Sequence, residues 1–260
     1  MQKLERNISP ELSILLPVRN EAIYIPIISK LLTATVKTSH EMVIIYDDPT
    51  DNSIAAAQAI QHKYPNLKLV YNNLGPGILN ALRKGMQNST GQYVLITCVD
   101  EVGPLLSIDD MVELLRQGCD LVSGTRYSLG GRRLTGSAIG KFLSISANLL
   151  FWMCGSALRD VTTGFKMFKR SCFDQLNLQS RPIGWIVVFE IGIKAQLLNF
   201  RLGEVPILAL DRLYGGQSTF QAWQWSIEYL KLFWWGAKQL RTIKTRPKVM
   251  VRIPVATPKH

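Results

Sequence analysis

Cysteine is scarce in this sequence: four residues in 260, at positions 98, 119, 154 and 172, with no C-x-x-C pair. That spacing excludes a zinc ribbon and a disulfide framework, and it fits a reducing compartment. Acidic residues are absent after Glu228, where eight Lys and Arg follow, so eight of the formal +11 charges belong to the tail. The body is therefore only mildly basic. Such a distribution points to an anionic partner, and with no recognisable nucleic-acid module it points away from nucleic acid. Long apolar runs are also missing. The nearest, 142–158, is interrupted by Ser144, Ser146, Asn148 and Ser156 and falls short of the ~20 residues that span a bilayer. It reads as an amphipathic or buried helix. The opening MQKLERNISPEL lacks the apolar segment of a signal peptide. The turn after the first apolar run, PVRNEA, holds no glycine, so the dinucleotide fingerprint G-x-G-x-x-G is absent, and no G-x-x-x-x-G-K-[ST] occurs.

What is present is alternation. SILLPV, MVIIYD, LKLVYN and YVLITCV are short apolar runs separated by the helical stretches EAIYIPIISKLL, NSIAAAQAIQHKY and ILNALRKGMQ. This order predicts an α/β domain with a mostly parallel sheet flanked by helices. DLVSGTRY, GFKMFK and FRLGEVPI add strand candidates, helices are expected near 138–157 and 185–198, and FQAWQWSIEYLKLFWWGAKQL ends the pattern as an amphipathic aromatic helix. Hydrophobic residues make up 47%, enough for one full core. A catalytic domain is expected over 1–219, followed by a surface helix and basic tail over 220–260. In an open parallel sheet the ligand lies beyond the carboxyl ends of the strands. Arg19, Asn20 and Glu21, Asp47 and Asp48, Asn72 and Asn73, and Asp100 and Glu101 all fall on those ends. Singly, Asp51 or Asn73 reads as a helix cap or turn residue. Four exits together predict one polar site.

SILLPVRNEA, IIYDDPTDNS, LGPGILNALRKGM, YVLITCVDE, DLVSGTRYSLGG, RDVTTGFKMFKR and GEVPI, in that order, resemble family 2 glycosyltransferases of the dolichyl- or polyprenyl-phosphate sugar synthase branch. The resemblance runs from about Leu12 to Phe220. It implies a single GT-A-type domain, a nucleotide-diphosphate-sugar donor, Mg²⁺ or Mn²⁺, and inversion at the anomeric carbon. By position it places Pro17, Arg19 and Glu21 beside the nucleotide, Asp47 on the base, and Gly75, Gly77 and Asn80 by the ribose. Asp100 takes the second Asp of the Asp-x-Asp motif, which holds the metal, with Glu101 beside it. Arg126 with Tyr127 matches the S-R-Y motif, Lys141 and Ser144 match the acceptor-phosphate positions, and Asp160, Thr163 and Gly164 match the segment near the sugar. One position departs: Cys98 stands where most of the family has the first Asp. Strand alternation puts Cys98 and Asp100 on one side, and the thiol reads as a small apolar residue. Asp100 suffices for a hard cation that takes most ligands from phosphate and water.

The implied reaction moves a sugar onto a lipid phosphate. That acceptor is already an anion and requires cationic positioning by Arg126 and Lys141, without a base. A hydroxyl acceptor, as in surface polysaccharide synthesis, would require one, and Asp160 and Glu190 are the candidates. A non-catalytic nucleotide-binding or scaffold protein is the remaining reading, raised by Cys98. The tryptophans of the last helix with Lys231 and Lys238 suit either core packing or an anionic membrane surface. Peripheral attachment to the cytoplasmic face is therefore expected, while the oligomeric state is open.

Overall fold

The computed structural model describes residues 9–128, 130–135, 138–210 and 222–254. The boundary expected at 219/220, Phe220 and Lys259 lie outside these, as do the side chains of Trp223 and Trp225. Five parallel strands, β1 (Leu12–Pro17), β2 (His40–Tyr46), β3 (Leu67–Tyr71), β4 (Tyr93–Ile96) and β5 (Leu121–Thr125), alternate with α1 (Ile25–Thr35), α2 (Asn52–Gln61), α3 (Ile78–Gln87) and α4 (Ile108–Arg116). Local chemistry sets the helix starts. Pro26 lies in the first turn of α1, Asp51 caps α2 by accepting from the Ser53 N–H, and Asp109 and Asp110 face the positive end of α4. α4 adds to the elements expected from the sequence; its buried Ile108, Met111, Val112 and Leu115 recur at helical spacing.

The second half brings a two-residue β6 (Arg132–Arg133), α5 (Ala138–Met153), β7 (Lys166–Lys169), α6 (Ile186–Leu197), β8 (Leu202–Pro206), β9 (Leu208–Ala209), α7 (Ala222–Leu240) and β10 (Val249–Val251). The main sheet runs β10-β8-β5-β7-β4-β1-β2-β3, with β6 and β9 paired apart from it. Only β7 is antiparallel, and it pairs Lys166 with Ile96 of β4 and with Ser123 of β5. Its entrance therefore lies at the carboxyl edge where the parallel strands end. That reversal delivers residues 160–164 to the predicted site.

Side chains leave the strands on alternate faces, and both faces are dry. Leu12, Ile14, Leu16, Met42, Ile44 and Leu95 meet α1 and α4 on one side. Leu15, Val43, Ile45, Val94, Ile96 and Phe168 meet α3, α5 and α6 on the other. The last helix belongs partly to this second layer: Phe233 lies 4.6 Å from Phe151, Ala237 and Leu240 are buried, and a Cβ on Gly236 would stand 2.3 Å from Ile193 Cδ1. Its other side carries exposed Ile227, Leu230 and Trp234. Core packing and surface exposure thus divide the aromatic helix between them.

Candidate active site

The exit of β1 is fixed by the start of α2. Asn20, in the left-handed region at φ 58°, donates its N–H to both Asp51 carboxylate oxygens at 3.1 and 3.0 Å. Glu21 N–H donates to Ser53 Oγ at 2.8 Å and Ala22 N–H to Asn52 Oδ1 at 3.2 Å. Asp51 is thus a cap and a brace, and three successive amides of the loop carrying Arg19 and Glu21 are satisfied by one helix start. The exit of β2 is tied in turn to the glycine loop, because Asp47 Oδ2 accepts the Gly77 N–H at 3.1 Å. Gly77 has φ 105°, and a Cβ there would lie 2.1 Å from Pro182 O, so the position requires glycine. Asn72 closes the loop by donating to Gly75 O at 2.8 Å and accepting from Leu74 N–H. Pro17, Arg19, Glu21, Asp47, Gly75, Gly77 and Asn80 are thereby assembled on one stretch of the carboxyl edge.

Regular pairing in β4 stops at Ile96, earlier than the run YVLITCVDEV suggests. The alternation nevertheless continues, since Thr97 and Val99 are buried while Cys98 and Asp100 are half-exposed. Asp100 and Glu101 follow directly. Among the described residues no group of three His, Cys, Asp or Glu gathers as a protein-only metal site. One or two carboxylates at this edge fit a hard cation that takes its other ligands from a diphosphate and water.

The third part of the edge is a buried ion pair. Asp160 is fully buried, and Arg126 reaches it with Nε at 2.8 Å from Oδ2, Nη2 at 3.0 Å from Oδ1 and its backbone N–H at 3.0 Å. Burial alone would lift the Asp160 carboxyl, but the charge and hydrogen bonds of Arg126 hold it below the usual carboxylate range. Burial likewise works against the guanidinium, and Asp160 more than offsets it, with Glu101 adding a smaller attraction. Arg126 Nη2 also contacts Thr162 Oγ1 at 2.6 Å and Ser144 Oγ at 3.3 Å. Asn148 completes the cluster by donating to Asp160 Oδ1 and Thr162 Oγ1 and accepting the Val161 N–H. Ser144 therefore joins Arg126 as expected, whereas Lys141 stands exposed on the first turn of α5.

Asn148 and Thr162 were not assigned to the site from the sequence; Asn148 was signalled as a polar residue breaking the apolar run 142–158, and Thr162 carried no signal beyond its place beside Asp160. Ser144 and Asn148, four apart, share one face of α5. Lys166 is a second unforeseen member: wholly buried, it donates to Val161 O at 3.1 Å and Thr163 O at 2.6 Å, pinning the turn beside Asp160. Burial drives its pKa down to about 7. Gly164 packs against the Trp185 ring, and Thr163 Oγ1 accepts the Phe165 N–H. Glu190 does not belong to this site. Its oxygens accept the Gln179 and Ser180 N–H groups and pair with Lys194, so it secures a loop.

Comparison with known proteins agrees with this architecture. A profile of the family described as Glycosyl transferase family 2 matches residues 13–176. A dolichol-phosphate mannosyltransferase of Pyrococcus furiosus is 25% identical over 200 residues, covering 75% of this chain and 55% of that protein. A dolichyl-phosphate beta-glucosyltransferase of Trichomonas vaginalis is 26% identical over 174 residues, covering 64% and 53%. The chain spans about half the length of these curated relatives. Among solved structures, glucosyl-3-phosphoglycerate synthase of Mycobacterium tuberculosis, with Mn²⁺, UDP-glucose and phosphoglyceric acid, superposes with TM-score 0.64 at 18% identity, over 88% of this chain and 80% of that one. A mannosyltransferase of Pyrobaculum calidifontis, in complex with GDP-Man and Mn²⁺, gives 0.63 at 18%, over 92% and 66%. The mostly parallel, helix-flanked sheet is that of the GT-A glycosyltransferases.

Proposed function

The chain belongs to the family 2 glycosyltransferases, and we propose that it transfers a sugar, with inversion, from a nucleotide-diphosphate donor to a polyprenyl phosphate at the cytoplasmic face of a membrane. The observation that carries this reading is the engagement of Asp160. A hydroxyl acceptor needs an accessible carboxylate to take its proton. Asp160 is buried, ionised and held through both oxygens by Arg126, and Glu190 is bound to a loop. A phosphate acceptor needs only a cation presented to it. Arg126, oriented by Asp160, Ser144 and Thr162, is the group proposed to meet that phosphate, with Lys141 at the rim of α5.

On the donor side Arg19, Glu21, Asp47 and the glycine loop hold the nucleotide, and Asp100 with Glu101 would hold Mg²⁺ or Mn²⁺. The metal, when bound, stabilises the negative charge that develops on the leaving diphosphate. Relatives named for dolichyl-phosphate transfer, and folds crystallised with UDP-glucose or GDP-Man and Mn²⁺, support the same assignment. Among the described residues no helix is long and apolar enough to cross a membrane. The exposed side of α7 and the basic tail are proposed to hold the enzyme at the lipid surface, where each Lys or Arg in reach contributes ~1 kcal/mol.

Kinetics of Arg126→Gln test the acceptor assignment. Turnover should fall at least ~100-fold, with the loss in acceptor kcat/KM and donor affinity held within about threefold, a barrier change near 2.7 kcal/mol. An equal loss of donor binding would move Arg126 to the nucleotide and overturn its assigned role.

A further inference from the structure

We propose that the protein carries a second anion site, separate from the residues of the strand exits, in which Arg159 and Arg246 receive the phosphate group of a phosphate ester beside Trp152. A cavity of about 330 Å³ opens at the β10 edge of the sheet, lined by Trp152, Arg159, Glu204, Arg246, Pro247 and Val249 among others. None of these residues belongs to the donor, metal or acceptor sets. Arg159 lies 5.5 Å from the centre of the Trp152 ring and Arg246 lies 5.2 Å from it, so two guanidiniums border one mouth. Arg246 is anchored there, because its Nη2 donates to Trp152 O at 2.7 Å in the last turn of α5. That bond explains Arg246 as a helix cap. It explains neither Arg159 on the same ring nor the open volume between them.

Charge points to the ligand. The lining has one carboxyl, Glu204, which is buried and accepts the backbone N–H of Arg159 at 2.6 Å and that of Asp160, and burial lifts its pKa to about 7. Arg252, farther along the tail, is already paired with Asp110 at 2.5 Å. Two like charges at a part-enclosed mouth are stabilised by an anion with several acceptor oxygens, and the planar guanidinium fork matches phosphate. Trp152, Pro247 and the strand valines offer apolar walls to the carbon part of an ester. Lys244 and Lys248, exposed on the same tail, raise the local concentration of anions. Exposed Leu149, Leu150 and Met153 on the adjoining turn of α5 allow the ester to be a lipid headgroup as well as a free metabolite.

Calorimetry on the whole chain at low salt tests this without turnover, so the outcome is independent of the proposed transferase activity. Wild type, Arg159→Gln and Lys244→Gln are titrated with inorganic phosphate, with glycerol 3-phosphate, and with phosphatidylcholine vesicles containing or lacking phosphatidylglycerol. Arg159 is exposed and Lys244 lies outside the cavity, so both variants retain the fold. Arg159→Gln should weaken binding about tenfold or more, ~1.4 kcal/mol, and Lys244→Gln less than threefold. Binding of the soluble phosphates that Arg159→Gln weakens assigns the site to a free ester. Binding confined to phosphatidylglycerol vesicles that Arg159→Gln weakens more than Lys244→Gln assigns it to a headgroup, since binding lost equally in both variants belongs to the tail. Absence of binding to every phosphate source, an Arg159→Gln that binds like wild type, or equal losses in both variants would overturn the proposal.

Discussion

At the scale of single residues, Cys98 is the sharpest departure from the family pattern, and the structure gives it an ordinary place. It is half-buried on the exposed phase of an alternation whose other phase, Thr97 and Val99, is core. Replacement by Ala or Ser should leave turnover within about tenfold, ~1.4 kcal/mol in barrier, and steady-state kinetics would show the thiol to be essential if several decades were lost. Glu204 gives a second residue-level prediction. Its pKa is raised to about 7 in the folded state by burial, so the carboxyl favours folding fully below its ordinary value, and that contribution is lost as pH rises through about 7. Glu204→Gln removes the titration. Its stability relative to wild type should rise between about pH 5 and about pH 8, on the order of 1–3 kcal/mol, as read by urea unfolding at each pH. A pH-invariant difference would show the carboxyl to be ordinary. Arg126, Asp160 and Ser144 were legible in the sequence because motif order and spacing carried them. Lys166, Asn148 and Thr162 were not, since one buried lysine in a strand and polar residues in an apolar helix name no partners until the chain folds.

At the scale of elements, α1 to α3 and β1 to β4 could be read directly, because hydrophobic period, caps and turn residues all agreed. The direction of β7 could not. KMFK is apolar enough for either orientation, and its reversal depends on α5 and the turn at 160–164 folding back onto β4 and β5. The end of β4 also differs from its sequence signal, because the run of β-branched residues continues past the last paired residue. The aromatic helix is the element where both readings hold in part: Phe233, Ala237 and Leu240 pack inward while Ile227, Leu230 and Trp234 face out. Truncation ahead of α7 would uncover Phe151, Phe189 and Ile193, so loss of cooperative unfolding is expected. Leu230→Gln with Trp234→Gln spares the packed side. This double variant should keep its melting temperature within a few degrees and lose vesicle sedimentation, whereas unchanged sedimentation would place membrane contact elsewhere.

At the scale of the whole molecule, one carboxyl edge gathers three devices: a braced loop proposed to meet the nucleotide, a carboxylate pair after β4, and a cation held by a buried acid. Positive charge is concentrated in the chain after Glu228. These features are what the proposed function draws on, the meeting of a diphosphate-linked sugar with an anionic acceptor at an anionic surface. The direct measurement uses labelled UDP-, GDP-, dTDP- and CDP-linked sugars with polyprenyl phosphate vesicles and, in parallel, free oligosaccharide, followed by solvent partition and product analysis. Label should pass to the lipid phosphate from one donor, require Mg²⁺ or Mn²⁺, and fall at least ~100-fold in Asp100→Asn, close to 2.7 kcal/mol of barrier. Label appearing only on oligosaccharide hydroxyls, or passing to lipid equally well in Asp100→Asn and in chelator, would contradict the account.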